Sequence, residues 1–140
     1  MAETKFDFWH DHSLNFLQMA FGRDRYARLQ NPDGYGRRTG DCGDTVEMYL
    51  RIKNGHIQSV ALSTDGCINT NACANAVSQL AEGKSIDKAR EITSHNVIEF
   101  LETLPKENYH CAELALGAFY RALANYQELQ HSFWKKPYLR

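Results

Sequence analysis

Val46-Glu47-Met48-Tyr49-Leu50-Arg51-Ile52-Lys53-Asn54-Gly55-His56-Ile57-Gln58-Ser59-Val60-Ala61-Leu62 is the stretch on which the fold turns. Val46, Met48, Leu50 and Ile52 alternate with Glu47, Tyr49, Arg51 and Lys53, the period-two pattern of a strand with one buried face. Asn54-Gly55 is a strong hairpin signal, because tight hairpin turns need residues that tolerate positive φ. The return strand is expected from about Ile57 to Thr64. A two-residue loop would pair Met48 with Ala61 and Leu50 with Ser59, leaving Val60 and Leu62 off the apolar face. A three-residue loop over Lys53 to Gly55, closed by a glycine bulge, would pair Met48 with Val60 and Val46 with Leu62, and is the expected register.

Working outward, the near strand is preceded by Asp41-Cys42-Gly43-Asp44 and the far strand is followed by Gly66-Cys67. Cys42 and Cys67 lie equally far from Asn54-Gly55, so either register brings them to the same end of the hairpin. Asp44 shares the face of Cys42 if the strand reaches back that far. Before this, a helix is expected over 6–30, with Leu14, Leu17 and Phe21 at helical spacing and Gly22 as a weak point. Asn31-Pro32-Asp33-Gly34 stops it, and Gly34, Gly36 and Gly40 read as a flexible approach to Cys42.

After the hairpin, a helix is expected from Thr70 to Ala81, closed by Gly83. A short one follows over Ser85 to Ile92, and another opens at Ser94 or His95 and ends near Leu104-Pro105. The last runs from Asn108 to Leu129 with an apolar stripe of Leu116, Phe119, Tyr120, Leu123 and Tyr126. Residues 130–140 read as an irregular tail. The expected fold class is α+β: a small antiparallel hairpin-based sheet covered by helices, in a single domain over 1–140 with its core over 41–129.

Composition narrows the function. Lys+Arg 16 against Asp+Glu 17 leaves no basic excess for nucleic acid or a membrane surface. The opening MAETKFDFWHDH has neither the apolar stretch of a signal peptide nor transit-peptide character, so the expected location is cytoplasmic and reducing. There, four cysteines read as thiols or metal ligands rather than disulfides. Nothing matches a phosphate loop, a Ser-His-Asp set or a nucleotide fingerprint.

Thiolates bind zinc, Cu(I) and iron–sulfur clusters. Cys42, Cys67 and Cys111 all fall at element ends, and a helix N-terminus favours a thiolate at Cys111. Cys73 falls on one helical stripe with Ala76, Val77 and Leu80 and reads as a buried structural residue. His110, beside Cys111, could be a ligand, a proton carrier or an exposed first-turn residue. Asp44 could be a ligand or a turn residue. His10 and His12, near Asp7 and Asp11, read as solvated terminal residues. His56, His95 and His131 read as surface residues, and Arg37-Arg38 as a solvated loop.

Cys42-Gly43-Asp44, Gly66-Cys67 and His110-Cys111, in this order and spacing, resemble the IscU/NifU family of iron–sulfur cluster assembly scaffolds. Asn54-Gly55, Glu82-Gly83-Lys84 and Leu104-Pro105 add to the likeness, which covers about residues 41–129. The resemblance implies a non-enzymatic scaffold. It would take sulfur from a cysteine desulfurase as persulfide, collect iron, build a [2Fe-2S] cluster and release it to recipient proteins, as a monomer or homodimer. Cys42, Cys67 and Cys111 would be ligands, Asp44 and His110 variable or additional ligands, and Cys111 the persulfide acceptor; zinc would occupy the same residues at other times.

Three departures stand out. Leu104-Pro105-Lys106-Glu107-Asn108 replaces the Leu-Pro-Pro-Val-Lys segment that an Hsp70 chaperone recognises, so that partner does not carry over. The stretch from Pro32 to Cys42 is shorter than in the family, which leaves its first strand short or missing. The N-terminal helix is longer and more aromatic, at the usual desulfurase contact. Two other readings of the residues are a zinc-pinned interaction domain and a sulfur-acceptor protein using Cys111.

Overall fold

The structure, a computed structural model, describes residues 12–135, with side chains through residue 130. Its described elements are α1 (Leu14–Phe21), β1 (Gly34–Thr39), β2 (Thr45–Lys53), β3 (His56–Asp65), α2 (Ile68–Ala81), α3 (Ile86–Ala89), α4 (Ser94–Leu101), a 3-10 turn (Lys106–Asn108) and α5 (Tyr109–Lys135). The strands form an antiparallel meander in the order β1-β2-β3, and α2 and α5 pack against it. The class is α+β, as the patterning implies.

The β2–β3 turn corrects the expected register. Asn54 (φ 56°) and Gly55 (φ 75°) both adopt positive φ, and Lys53 pairs with His56, so the loop has two residues. A β-bulge then restores the face. Ile52 pairs with Ile57 but Arg51 pairs with Ser59, which leaves Gln58 as the extra residue. Beyond it Leu50 faces Val60 and Met48 faces Leu62, so Val46, Met48, Leu50 and Leu62 are all fully buried. The bulge, not a longer loop, reconciles the Asn-Gly turn with the apolar pattern.

The approach to Cys42 is likewise a strand rather than a flexible segment. β1 pairs with β2 from Gly34↔Leu50 to Thr39↔Thr45. Its glycines are there for closeness. A Cβ on Gly34 would lie 2.5 Å from the Ala122 carbonyl oxygen, and one on Gly36 would run into the backbone of Ala118 and Ala122 in α5. The same helix closes the outer edge of β1. Asn125 Oδ1 accepts from the Tyr35 N–H at 2.9 Å, and Arg121 Nη1 donates to the Arg37 carbonyl at 2.8 Å.

Within the described residues the first helix is shorter than the expected 6–30, and residues 6–11 lie outside them. Ser13 caps α1, its hydroxyl accepting from the Phe16 N–H, and the helix stops at Gly22. Buried Asn75 of α2 takes the final carbonyls, donating to Met19 at 2.8 Å and Gly22 at 3.2 Å. The chain then runs extended along β3, where the Leu62 N–H donates to Arg25 and the Ala27 N–H to Leu62. Helical spacing continued past Gly22, but these side-chain and edge bonds claim the backbone instead.

Between the layers lie Phe16, Val77, Leu101 and Phe119, fully buried with the apolar face of the sheet. Each such side chain contributes about 1.5–3 kcal/mol through burial. α2 sits at the centre, and its small residues Ala72, Ala74 and Ala76 let α1, α4 and α5 approach it. α3 covers only Ile86–Ala89 of the expected Ser85 to Ile92, with Ser85 as its N-cap. α4 is opened by a Thr93–Asn96 capping box and ends at Leu101, before the expected stop. α5 carries Leu116, Phe119 and Leu123 inward, while Tyr120 is 39% exposed and bonds the Ile92 carbonyl through its hydroxyl. The helix runs on to Lys135, through much of the expected tail.

Candidate functional site

The end of the sheet opposite Asn54-Gly55 gathers three chain segments. The β1–β2 turn is a three-residue loop, Asp41-Cys42-Gly43, closed by Gly40 N–H to Asp44 C=O and Gly43 N–H to Gly40 C=O, both 2.9 Å. Gly43 sits at φ 90°, so the glycine-bulged loop expected after β2 occurs before it. The loop displays Cys42 in the open. Cys67 is the N-cap of α2 and is also exposed. Cys111 is the third residue of α5, as expected, and is fully buried.

One hydroxyl ties these segments together. Thr70 Oγ1 donates to Asp44 Oδ2 at 2.6 Å. The same oxygen lies 3.5 Å from Cys111 Sγ and 3.7 Å from Cys67 Sγ. The Cys67 N–H, unused at the start of α2, also donates to Asp44 Oδ2 at 3.3 Å. His110 Nε2 is 3.6 Å from Cys111 Sγ. Cys42 and His110 face a common recess of about 500 Å³, bordered also by Arg38, Asp41 and Glu113. The structure thus brings the five sequence-derived candidates Cys42, Asp44, Cys67, His110 and Cys111 around one end of the sheet. Among the described residues, no three His, Cys, Asp or Glu side chains are gathered tightly enough to hold an ion as they stand. The Thr70 hydroxyl occupies the middle of the group.

Electrostatics differ sharply around this ring. The Thr70 hydroxyl is the main influence holding the Asp44 carboxyl below its usual range. Burial opposes it, and the Cys67 N–H and the nearby His110 assist. Burial pushes the Cys111 thiol up, against the hydrogen bond from Thr70, and the neighbouring Cys67 and Cys42 add to the rise. The helix start alone would favour a thiolate at Cys111, but desolvation outweighs it. Burial pushes Cys73 up much further. It is fully enclosed in the core, in keeping with its structural reading.

Two residues of the site escape a reading based on ligand types. Thr70 serves in the sequence analysis only as a helix boundary; its signal is the spacing Cys67-x-x-Thr70, which places it at the third helical position behind an N-cap. Gly66 makes room. A Cβ there would come within 2.5 Å of the Asp44 carboxyl carbon. The histidine reading needs one correction. His12 is buried, stacked on Phe16 at 3.8 Å with Nδ1 2.8 Å from Thr103 Oγ1, rather than solvated. Asp7, His10 and Asp11 lie outside the described residues, as does the His131 side chain. His56 and His95 are on the surface. Arg37 and Arg38 belong to β1, and Arg38 lies along Gly117 and donates to the Glu113 carbonyl at 3.2 Å.

The four thiols should therefore react at separable rates. In the native apoprotein, iodoacetamide should modify Cys42 and Cys67 first, Cys111 at least about tenfold more slowly, and Cys73 only after denaturation. Peptide mass spectrometry over a time course checks the order; early modification of Cys73 would contradict the packing.

Comparison with known proteins agrees with this fold. Iron-sulfur cluster assembly scaffold protein IscU 1 of Archaeoglobus fulgidus is 34% identical over 101 residues, 71% of this chain and 66% of that protein. The Escherichia coli iron-sulfur cluster assembly scaffold protein IscU is 33% identical over 87 residues, 61% of this chain and 67% of its own length. The chain thus spans about two thirds of the length of these relatives. The structure of a nitrogen-fixing NifU-like protein (N-terminal) from Brucella abortus superposes with a TM-score of 0.68 at 18% identity, covering 83% of this chain and 94% of that one, a likeness of fold. Residues 31–132 match the NifU-like N terminal domain, and the chain belongs to that family.

Proposed function

We propose that this chain, acting as one domain, is a scaffold on which an iron–sulfur cluster is assembled and from which it is handed to recipient proteins. The observation that carries this is the Thr70 hydroxyl, within 3.7 Å of a carboxylate and two thiols from three separate segments. In this reading iron and sulfide are cargo, and the donor chemistry suits them: three thiols, a carboxylate and an imidazole. Cys42, Cys67 and Cys111 hold a [2Fe-2S] cluster as thiolates, while Asp44 and His110 complete or exchange the ligand set. Zinc fits the same donors. Sulfur arrives from a cysteine desulfurase as persulfide, with Cys111 as the proposed acceptor, and iron(II) together with an external reductant supplies the electrons that convert it to sulfide.

The asymmetry of the site suits release as well as capture. Buried Cys111 shields the inner side from water, while exposed Cys42 and Cys67 leave the outer side open to a donor and then to a recipient. An oxygen ligand among the thiolates weakens retention. No described helix is long and apolar enough to cross a membrane, and a reducing compartment such as the cytoplasm would keep the thiols available.

Anaerobic incubation with iron(II), cysteine, a desulfurase and a thiol reductant, followed by iron and sulfide analysis with visible spectra, tests the reading. Near-equimolar sulfide and iron in a brown protein that loads an apo-ferredoxin is the expected result. A colourless protein with tightly held zinc and no sulfide would favour the zinc-pinned domain instead. Persulfide on Cys111 formed independently of Cys42 and Cys67, without cluster, would favour a sulfur carrier. Within the scaffold reading, Asp44→Ala should slow cluster loss to a chelator about tenfold, because the carboxylate can no longer turn from its resting partners and exchange into the ligand set during release. Unchanged decay would exclude a gating part for Asp44.

A further inference from the structure

Thr70 is fully buried, and the closest partner of its hydroxyl is Asp44 Oδ2 at 2.6 Å. That oxygen is one that the carboxylate would use to bind iron. Cys67 Sγ and Cys111 Sγ flank the hydroxyl at 3.7 Å and 3.5 Å. Asp44 has a second fixed partner, the Cys67 N–H, on the same oxygen at 3.3 Å. Gly66 presses close enough that even a methyl group would displace the carboxyl, so Asp44 has a tailored resting place.

We infer that Thr70 is a positioning residue that holds the Asp44 carboxylate in reserve, and that the strength of this bond sets how readily Asp44 enters the ligand set. Removing the hydroxyl frees Asp44 to bind the cargo and hastens its loss. The bond competes directly with ligation, because a carboxylate oxygen satisfied at 2.6 Å by a buried donor gives up a charge-assisted hydrogen bond when it turns to the metal. Thr70 thereby acts through Asp44 and not on the cluster itself. This role rests on the scaffold reading, but the bond it invokes bears on any metal held here.

The test uses Thr70→Val, which keeps the shape, Thr70→Ser, which keeps the hydroxyl, Asp44→Ala and the double variant Thr70→Val/Asp44→Ala. Cobalt(II) loaded in place of the cargo reports the ligand set in its visible bands. Wild type, Thr70→Ser and Asp44→Ala should share one spectrum, and Thr70→Val alone should show the change of an added oxygen ligand. With reconstituted cluster, Thr70→Val should lose it about tenfold faster, Thr70→Ser at the wild-type rate, and the double variant as slowly as Asp44→Ala. Faster loss that persists without Asp44, or a cobalt spectrum unmoved by Thr70→Val, would overturn the inference. If no variant assembles a cluster while the cobalt spectra differ as described, the scaffold reading fails and the positioning role stands.

Discussion

Gly36→Ala is expected to lower the melting temperature by roughly 10 °C. The added Cβ points at the Ala118 carbonyl and the Ala122 amide of α5, which are backbone atoms held in a helix and unable to rotate aside. Either β1 lifts from α5 or the helix shifts, and both break something specific. Lifting β1 loosens the Asn125 and Arg121 bonds to its edge, and shifting α5 unseats fully buried Phe119. Overpacking against such a wall costs about 1–3 kcal/mol, out of a total stability typically of about 5–15 kcal/mol. Gly40→Ala is the control. Its Cβ meets only the Leu114 side chain at 3.4 Å and Cys42 Sγ at 3.6 Å, ordinary contacts, so its melting point should move by no more than a few degrees. Calorimetry on both variants decides; equal melting points would mean that β1 is not pinned to the helix. Since β1 also sets the Cys42 loop, the Gly36 variant should hold cluster poorly even when folded.

Cys111→Ser should reduce reconstituted iron and sulfide per chain at least about tenfold, with little change in melting temperature. The hydroxyl is a poor ligand for a sulfur-rich cluster and does not ionise near neutrality. The position is buried, but the Thr70 hydroxyl, 3.5 Å from Sγ, stays beside the new group to accept from it, so the fold should tolerate it. Cys73→Ala is the matched comparison, because it removes a thiol that is equally buried but is enclosed in the core among apolar neighbours. It should lose about 1 kcal/mol of stability and keep full cluster yield. Equal yields from Cys111→Ser and wild type would remove Cys111 from the ligand set, and an equal loss from Cys73→Ala would point to folding and not ligation.

The sequence carried the site better than the register that builds it. Cys42 and Cys67 come to the same end of the sheet because they stand symmetrically about Asn54-Gly55, which depends on counting and survives a change of loop. The pairing did not survive: the alternation of apolar residues demands an even offset, and either a longer loop or a bulge at Gln58 supplies it. Nothing local in Gln58 distinguishes the two. β1 was hidden for a different reason. Glycine has no side chain to show alternation, so Gly34-Tyr35-Gly36 reads as slack when it is a strand under a helix. Gly22 carried a legible warning about the first helix, but what ends that helix is Asn75, distant in sequence. Thr70 was hidden because ligand-type reasoning looks for sulfur, imidazole and carboxylate, and the residue that organises them is none of these.

The closed edge of β1 has a consequence for the order of assembly. The carbonyl of Arg37 and the amide of Tyr35 find partners in Arg121 and Asn125, which leave the ribosome after all three strands. All three strands can pair before α5 exists, and during that interval the sheet presents bare rungs to any other unfinished chain. Docking of α5 covers those rungs and, in the same movement, delivers Cys111 to the other two thiols. A chain that can gather all three sulfurs is therefore one that has already lost its capacity to extend its sheet into a neighbour.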